Sequence, residues 1–475
     1  MVIKDLLFAA VAATAADGLV YEPCELSGVS GGPSLSAECF TVSVPEDRNL
    51  EDGTQIGLSA ARIKANNRDA DGDPLIMIAG GPGQSALESF IPHVRALRPV
   101  RQNHDIILVD QRGTGGSNAL RCPDYDMESD VSPAQAAEQA RRCLDELGVD
   151  PRHYTTAEAV LDLEVVREAL GIEQWHVYGV SYGSRVGLEY LRHAPERVAT
   201  LTLDGVVPAD EVLGPMIAPF AQQAVDRMLA RCADDAACRE AFPDLSASLD
   251  RLLNRLSESP QAVSLRHPRT HQTTEVRLDR DRVAQVIRFA AYQPELLSLI
   301  PLMIHRAAVE GDWAPLAGQW LTLGEAMGDS ISVGMHYAVI CSEDVPFIDE
   351  EDAIAGSNSF LEQDPMELLK AVCSDWPVTD GDRREAVHSD RPVLLLSGEL
   401  DPVTPPSWGE QAAATLSNSR HITLKGKGHN VVHLGCVPFL LRDLMAGTAP
   451  DALDAECLDN MRPTPFFIDF HGPSA

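Results

Sequence analysis

Short apolar runs, each ending in glycine-rich or acidic residues, recur along the chain and predict buried β-strands. Residues 39–44 and 55–63 alternate apolar and polar positions, which is typical of an antiparallel pair with one solvated face. The other runs are compact, as in a sheet covered by helices on both faces; they are residues 75–79, 106–109, 175–178, 201–203, 393–396 and 421–424. Together, these runs predict a sheet of eight strands.

Helical periodicity fills several intervals between these strands. Residues 157–170 precede the run at 175–178 and residues 182–193 follow it, so strands and helices alternate as in a mostly parallel α/β sheet. The interval 210–388 differs because its apolar residues fall at helical spacing and strand-like runs are scarce. We therefore expect a mainly helical cap at 210–388, inserted before the last two strands.

Composition places the chain among folded globular proteins, since 44% of its 475 residues are hydrophobic and 23% are charged. The formal net charge is −33, and no basic tract is present that could neutralise a run of phosphates. Nucleic acid is therefore not expected as a partner. The excess acid indicates a strongly hydrated surface and by itself names no substrate.

The N-terminus has the pattern of an export signal. Residues 6–16 are apolar apart from Thr14, follow Lys4 and end in small residues, which predicts a signal peptide over 1–16. An ordinary N-terminal helix is the alternative, because Asp5 stands beside Lys4. The run is too short to span a bilayer, so we expect an exported, periplasmic or extracellular protein without a stable membrane span.

Ten cysteines are scattered along the chain without a CxxC spacing, which favours disulfides in an oxidising compartment over a metal site. The simplest pairing is sequential, and the sequence leaves other pairings open. The sequential pairs are Cys24 with Cys39, Cys122 with Cys143, Cys232 with Cys238, Cys341 with Cys373, and Cys436 with Cys457.

The segment 179–183, Gly-Val-Ser-Tyr-Gly, is a GxSxG motif directly after an apolar strand and directly before a helix. This context is typical of a nucleophile elbow, in which a tight turn holds a serine at the start of a helix. The positive end of that helix favours developing negative charge at the serine oxygen. We predict Ser181 to be the nucleophile.

A serine nucleophile needs a base and an orienting acid, which follow it in this chain order on loops after later strands. Asp401 follows the strand at 393–396, and His429 follows the strand at 421–424. We predict Asp401 as the acid and His429 as the base. Glu399 and Asp204 are the rivals of Asp401, and His433 is the rival of His429.

An oxyanion hole is expected from two backbone amides, that of Tyr182 and one in the segment 80–83, Gly-Gly-Pro-Gly. Gly81 is the preferred donor and Gly80 the next, because glycine lets the backbone approach a substrate carbonyl. In the segment 110–117, Asp110 and Arg112 are expected to brace this loop; an anion site formed by its glycines and N–H groups is the alternative. No dinucleotide or phosphate-loop motif occurs at the required place, so no nucleotide cofactor is inferred.

The segments GGPG at 80–83, DQRGTGGS at 110–117, GVSYG at 179–183, DPVTP at 401–405 and GHN at 428–430 together resemble the proline iminopeptidase and tripeptidyl aminopeptidase family of α/β-hydrolases. The resemblance spans residues 35–465, and the part from 391 onward is similar to the C-terminal region of the exported tripeptidyl aminopeptidase branch. It implies an α/β-hydrolase fold with core segments 17–209 and 389–475, a helical cap between them and no cofactor. The family's usual HGGPG loop has Ala79 in place of the histidine.

The resemblance implies removal of single residues or short peptides, including tripeptides, from free N-termini. A charged amino group calls for a partly buried carboxylate. Glu343 is our first candidate and Asp344 the second, in an acidic segment that resembles one of the exported branch; a solvated acidic loop is the alternative. A carboxylesterase or lipase of the same fold, or a binding protein without catalysis, are the other functions considered.

Overall fold

The computed structural model describes residues 19–28, 34–122, 131–349, 359–361, 365–379 and 384–473. The signal peptide predicted for residues 1–16 lies outside these ranges. The strands, in chain order, are β1 (Glu22–Leu26), β2 (Leu35–Pro45), β3 (Gln55–Ile63), β4 (Gly72–Ile78), β5 (His104–Val109), β6 (Trp175–Val180), β7 (Val198–Asp204), β8 (Gln261–Arg266), β9 (Thr273–Leu278), β10 (Val393–Gly398) and β11 (Ser419–Leu424).

Within the described residues, nine strands form one sheet in the order β1-β2-β3-β5-β4-β6-β7-β10-β11, and β8 and β9 form a separate antiparallel hairpin. β1, β2 and β3 pair antiparallel and β3 joins β5 antiparallel, whereas the six strands from β5 to β11 run parallel. The mostly parallel sheet predicted from the apolar runs is therefore confirmed. Because the central strands are parallel, their carboxyl ends meet along one edge.

The sheet has one strand more than the predicted eight, because β1 pairs with β2 at the edge. Its sequence, Glu-Pro-Cys-Glu-Leu, gives no apolar run, and its side chains are mostly exposed. Proline is tolerated there because an edge strand needs only half of its backbone hydrogen bonds within the sheet. The Cys24–Cys39 disulfide ties this edge to β2.

Helices cover the sheet and fill the interval between β7 and β10. They are α1 (Ala86–Ser89), α2 (Ile91–Val94), α3 (Arg98–Arg101), α4 (Pro133–Leu147), α5 (Thr156–Ala169), α6 (Tyr182–His193), α7 (Ile217–Asp234), α8 (Ala236–Ala241), α9 (Leu245–Glu258), α10 (Arg280–Ala290), α11 (Pro294–Leu297), α12 (Ile300–His305), α13 (Ala314–Ser330), α14 (Val333–Glu343), α15 (Pro365–Cys373), α16 (Pro406–Ala413) and α17 (Val437–Met445). None of the helices in the described ranges is long and apolar enough to cross a membrane.

Most of the helices between β7 and β10 bury an apolar cluster of their own, formed largely by α7, α9, α10 and α12. The leucines of α9 and the aliphatic residues of α10 lie in it, as their helical spacing indicates. Helix α14 is different, because Met335, Ala338 and Val339 pack into the main cluster on the sheet together with Tyr182. Helix α14 therefore belongs by packing to the sheet.

All ten cysteines form disulfides, and the five pairs are the sequential ones. Cys341–Cys373 joins α14 to α15 across 32 residues, whereas Cys232–Cys238 closes a loop of only six. The stabilisation from a crosslink grows with the size of the loop that it closes in the unfolded chain.

We expect serine replacement of both Cys341 and Cys373 to lower the free energy of unfolding by about 4 kcal/mol, against about 2 kcal/mol for Cys232 and Cys238, from loop entropy. Chemical denaturation of the two double variants beside the unmodified protein measures the difference. A larger loss from the six-residue loop would contradict this ranking.

Candidate active site

A sharp turn joins β6 to α6 at Ser181, whose backbone has φ 56° and ψ −130°. This left-handed conformation is strained for serine and is held by close packing around it. A Cβ at Gly179 would lie 2.2 Å from the Gly183 carbonyl oxygen, and one at Gly183 would lie 2.3 Å from that of Ile78. The two glycines of GxSxG are therefore required by the contact between strand and helix.

The backbone of Ser181 is hydrogen-bonded to the neighbouring strand. Ser181 N–H donates to the Asp204 carbonyl at the end of β7, at 2.9 Å. Because α6 begins at Tyr182, the serine lies at the helix N-terminus, where the helix dipole favours negative charge. The position expected of a nucleophile is thus built by three elements: β6, α6 and β7.

Asp401 and His429 are brought together by the loops after β10 and β11. His429 Nδ1 lies 2.8 Å from Asp401 Oδ2. The Asp401 carboxylate also accepts hydrogen bonds from the amides of Val403 and Thr404 and from the Thr404 hydroxyl, at 2.8–3.0 Å. The acid is fully buried, so these donors fix its orientation. With Nδ1 directed at the acid, Nε2 is the nitrogen left to take a proton.

The three rivals make other contacts. Glu399 accepts from the Gly426 amide at 2.8 Å, and Asp204 accepts from the amides of Val431 and Val432. His433 stacks on His93, with ring centroids 4.4 Å apart. Asp401 is therefore the carboxylate that is hydrogen-bonded to His429.

Ser181 and His429 each lie beside the end of β7. Gly205, next to the Asp204 carbonyl that accepts from Ser181, has φ +63°, and a Cβ there would lie 2.8 Å from His429 Cε1. Among the described residues no hydrogen bond joins the Ser181 hydroxyl to His429. Such bonds are commonly long without substrate and shorten in the complex.

The charge of Asp401 controls the protonation of His429. Burial opposes a charge on the imidazole, but the attraction and hydrogen bond of Asp401 outweigh it and raise the pKa of His429 above its ordinary value of 6.5. Asp204 adds a smaller attraction. Burial also raises the pKa of Asp204 to about 6, against the hydrogen bonds that it accepts from the amides of Val431 and Val432 and from the Tyr178 hydroxyl.

The loop predicted to form the oxyanion hole lies beside Ser181. A Cβ at Gly80 would be 2.8 Å from Ser181 Cβ, so only glycine permits this approach. Gly81 and Gly83 have φ of 107° and 108° on either side of Pro82, whose peptide bond is cis. The structure thus brings the Gly-Gly-Pro-Gly loop and Tyr182 to the same serine, while amide donation to an oxyanion stays a prediction.

The neighbouring loop braces this region through residues that were only partly expected. Asp110 Oδ1 accepts from the Ser85 hydroxyl and the Leu87 amide, and Gln111 Nε2 donates to the Ala79 carbonyl at 3.2 Å. The expectation for Arg112 is wrong. Its buried guanidinium binds Asp162 of α5 at 2.7 Å and the carbonyls of residues 45, 46 and 153 instead.

The two carboxylates predicted to hold a substrate amino group are already paired with arginines. Asp344 has a fully buried side chain and binds Arg185 at 3.0 Å. Glu343 forms an ion pair with Arg384 and accepts two hydrogen bonds from Thr156. A substrate ammonium would have to displace an arginine from either carboxylate. Binding of a substrate amino group by Glu343 or Asp344 therefore stays a prediction, and it requires that the arginine partner be displaced.

Sequence reasoning missed several contributors to the site. Thr404 lies three residues after Asp401, and Tyr292 accepts from the His429 amide at 3.0 Å with its ring 5.2 Å from the imidazole. Threonine beside an aspartate in a turn is a recognisable hydrogen-bonding signal. Tyr292 comes from the predicted cap and had no such signal.

Among the described residues, no group of three or more His, Cys, Asp or Glu is placed to hold a metal ion.

We expect kcat/KM to fall as the pH drops through a value above 6.5, because a base must be neutral to accept a proton and Asp401 raises the pKa of His429. In Asp401→Asn the attraction is lost and burial remains, so the pKa of His429 should fall. The acid limb of the residual activity should therefore move to lower pH. A pH profile of ester hydrolysis checks both shifts. Glu399→Gln is the control and should keep the profile of the unmodified protein; an acid limb below pH 6.5 in that protein would contradict the assignment.

Comparison with known proteins adds to this geometry. The model of the family described as alpha/beta hydrolase fold matches residues 73–435. Serine protease Hip1 of Mycobacterium tuberculosis (strain ATCC 25618 / H37Rv) is 26% identical over 474 residues, covering 92% of this chain and 90% of its own length. Tripeptidyl aminopeptidase of Streptomyces coelicolor is 30% identical over 218 residues, covering 42% of this chain and 40% of its own.

Among solved structures, proline iminopeptidase of Mycobacterium smegmatis aligns with 18% identity over 86% of this chain and 98% of its own, at a TM-score of 0.39. The resemblance inferred from the sequence motifs is confirmed by relatives that bear the names of serine peptidases and aminopeptidases. The family model covers well over half of the chain. The protein described here therefore belongs to the family of hydrolases with the alpha/beta hydrolase fold.

Proposed function

We propose that this protein is a serine aminopeptidase that releases single residues or short peptides, up to tripeptides, from free N-termini. The observation that supports it best is the Asp401–His429 hydrogen bond of 2.8 Å beside the strained turn at Ser181. Relatives of serine-peptidase type make peptides the favoured substrates. The five disulfides favour an exported, periplasmic or extracellular site of action.

In the proposed reaction, Ser181 Oγ attacks the scissile carbonyl carbon while His429 Nε2 takes the hydroxyl proton. Asp401 keeps the imidazole oriented and stabilises its positive charge. The amides of Gly81 and Tyr182 donate to the carbonyl oxygen as it becomes negative. His429 then gives the proton to the leaving amine, which departs as the shortened peptide.

The N-terminal fragment is left as an acyl ester on Ser181. A water molecule attacks this ester, its proton passes to His429, and the Ser181 oxygen leaves and recovers a proton from the imidazole. The fragment is released as a free acid. No cofactor enters either half of this cycle, and the same steps would serve an ester substrate, so substrate choice rests on the cap.

Ser181→Ala should lower kcat/KM by at least about 10⁴-fold, because the reaction loses its nucleophile and the acyl intermediate. Thermal unfolding should change little, since the φ of residue 181 is kept by the surrounding backbone. Rates with a peptide anilide, together with the unfolding temperature, measure both effects. Full activity in this variant would remove Ser181 from the mechanism.

Free-amino and N-acetylated mono-, di- and tripeptidyl anilides, with a short-chain p-nitrophenyl ester, test the substrate class. We expect acetylation to abolish cleavage, because an aminopeptidase binds the charged amino group and loses that contact in the amide. The preferred peptide length identifies how many residues leave together. Equal rates with and without the acetyl group, and a faster ester, would replace the proposal by a carboxylesterase.

A further inference from the structure

The Tyr182 side chain reaches away from the nucleophile into the protein interior. Its ring is buried, and burial raises the pKa of Tyr182, so the phenol keeps its proton. The Tyr182 oxygen lies 2.7 Å from Thr156 Oγ1, at the first residue of α5. The backbone amide of Tyr182 is one of the proposed oxyanion donors. Its side-chain hydroxyl instead contacts α5.

Thr156 connects this phenol to Glu343. The Thr156 hydroxyl donates to Glu343 Oε2 at 2.6 Å, and the Thr156 amide donates to Oε1 at 2.7 Å. A threonine hydroxyl has a single proton, so the Tyr182 hydroxyl is the donor toward Thr156. The result is a directed chain of hydrogen bonds from Tyr182 through Thr156 to Glu343.

The carboxylate at the end of this chain is firmly held. Arg384 forms an ion pair with Glu343, and the first amides of α5 present the positive end of the helix dipole to it. The side chain is only 8% exposed. Two residues before Glu343, the Cys341–Cys373 disulfide fixes the last turn of α14 to α15.

The N-terminal end of α14 contacts the Gly-Gly-Pro-Gly loop, which carries the other proposed oxyanion donor. Ser332, directly before α14, donates its amide to the Gly83 carbonyl at 2.9 Å, and Ile331 forms a β-bridge with Gln84. A Cβ at Gly83 would lie 2.8 Å from the Ser332 carbonyl oxygen, so the two backbones are in direct contact. One helix thus joins the Gly-Gly-Pro-Gly loop at its start to the Tyr182 phenol at its end.

We infer that α14 sets the spacing of the two oxyanion amides, and that Glu343 and Thr156 are positioning residues that act through Tyr182. The inference rests on the proposed function in that it assumes the oxyanion role of Gly81 and Tyr182. In this role Glu343 holds Thr156 in place, and its ion pair with Arg384 holds the Glu343 carboxylate. The peptide between Ser181 and Tyr182 carries the Tyr182 amide, so the position of the Tyr182 side chain affects the direction in which that amide points.

Thr156→Val removes the hydroxyl with little change in size. We expect kcat for a p-nitrophenyl ester to fall by about 10-fold or more with KM nearly unchanged, because a small displacement of an oxyanion donor affects the transition state and not ground-state binding. Thr156→Ser keeps the hydroxyl and should restore kcat. Glu343→Gln, which loses the charge facing Arg384, should lower kcat in the same direction.

The matched control lies on the same two helices. Tyr190 of α6 donates its hydroxyl to Glu164 of α5, which is paired with Arg167, so Tyr190→Phe removes a comparable buried hydrogen bond far along the helix from Ser181. It should lower the unfolding temperature and leave kcat unchanged. Equal losses of kcat in Tyr190→Phe and Thr156→Val, or no recovery in Thr156→Ser, would overturn the inference.

The ester assay separates this inference from the proposed function. If the unmodified protein hydrolyses the ester but no peptide anilide, the aminopeptidase proposal fails, and the Thr156 variants still decide the role of α14. If the protein neither hydrolyses the ester nor reacts with a fluorophosphonate at Ser181, both proposals fail.

Discussion

The strained turn at Ser181 is the constraint on which the rest of the site depends. A left-handed backbone at a serine persists only where the surroundings leave it no alternative. Here α6 meets the ends of β6 and β4 so closely that Gly179 and Gly183 have no room for a side chain, and the Ser181 amide is bonded to the end of β7. The parallel sheet itself therefore holds Ser181 at one edge, and the loops that carry Asp401 and His429 leave the same edge, as the proposed roles of nucleophile, acid and base require.

Two buried arginines form ion pairs between elements near this edge of the sheet. Arg112 binds Asp162, Arg185 binds Asp344, and both guanidinium groups are fully buried. A buried ion pair contributes little net stability over an apolar pair, but losing one partner is costly because a lone charge remains in the interior. The first pair therefore ties the loop after β5 to α5, and the second ties α6 to the end of α14.

Helix α14 belongs to the predicted cap by its position in the chain but to the sheet by its packing. By sequence it lies inside the interval 210–388, yet Met335, Ala338 and Val339 pack on the sheet cluster, while the other cap helices mostly bury a cluster of their own. The segment directly before α14 also contacts the loop at Gly83, so this helix joins the interval 210–388 to the loop that is proposed to donate to an oxyanion.

The sequence by itself determined the alternation of strands and helices, the turn at Ser181, and Asp401 and His429, because each depends on local periodicity or on a motif with its flanking strand. It also indicated the sequential disulfides as the simplest pairing. Only the tertiary structure decided that β1 adds an edge strand, that Tyr292 contacts His429, and that Glu343 faces Thr156 and Arg384. Those contacts join residues up to 187 positions apart, and no local pattern encodes which buried carboxylate will meet which distant donor.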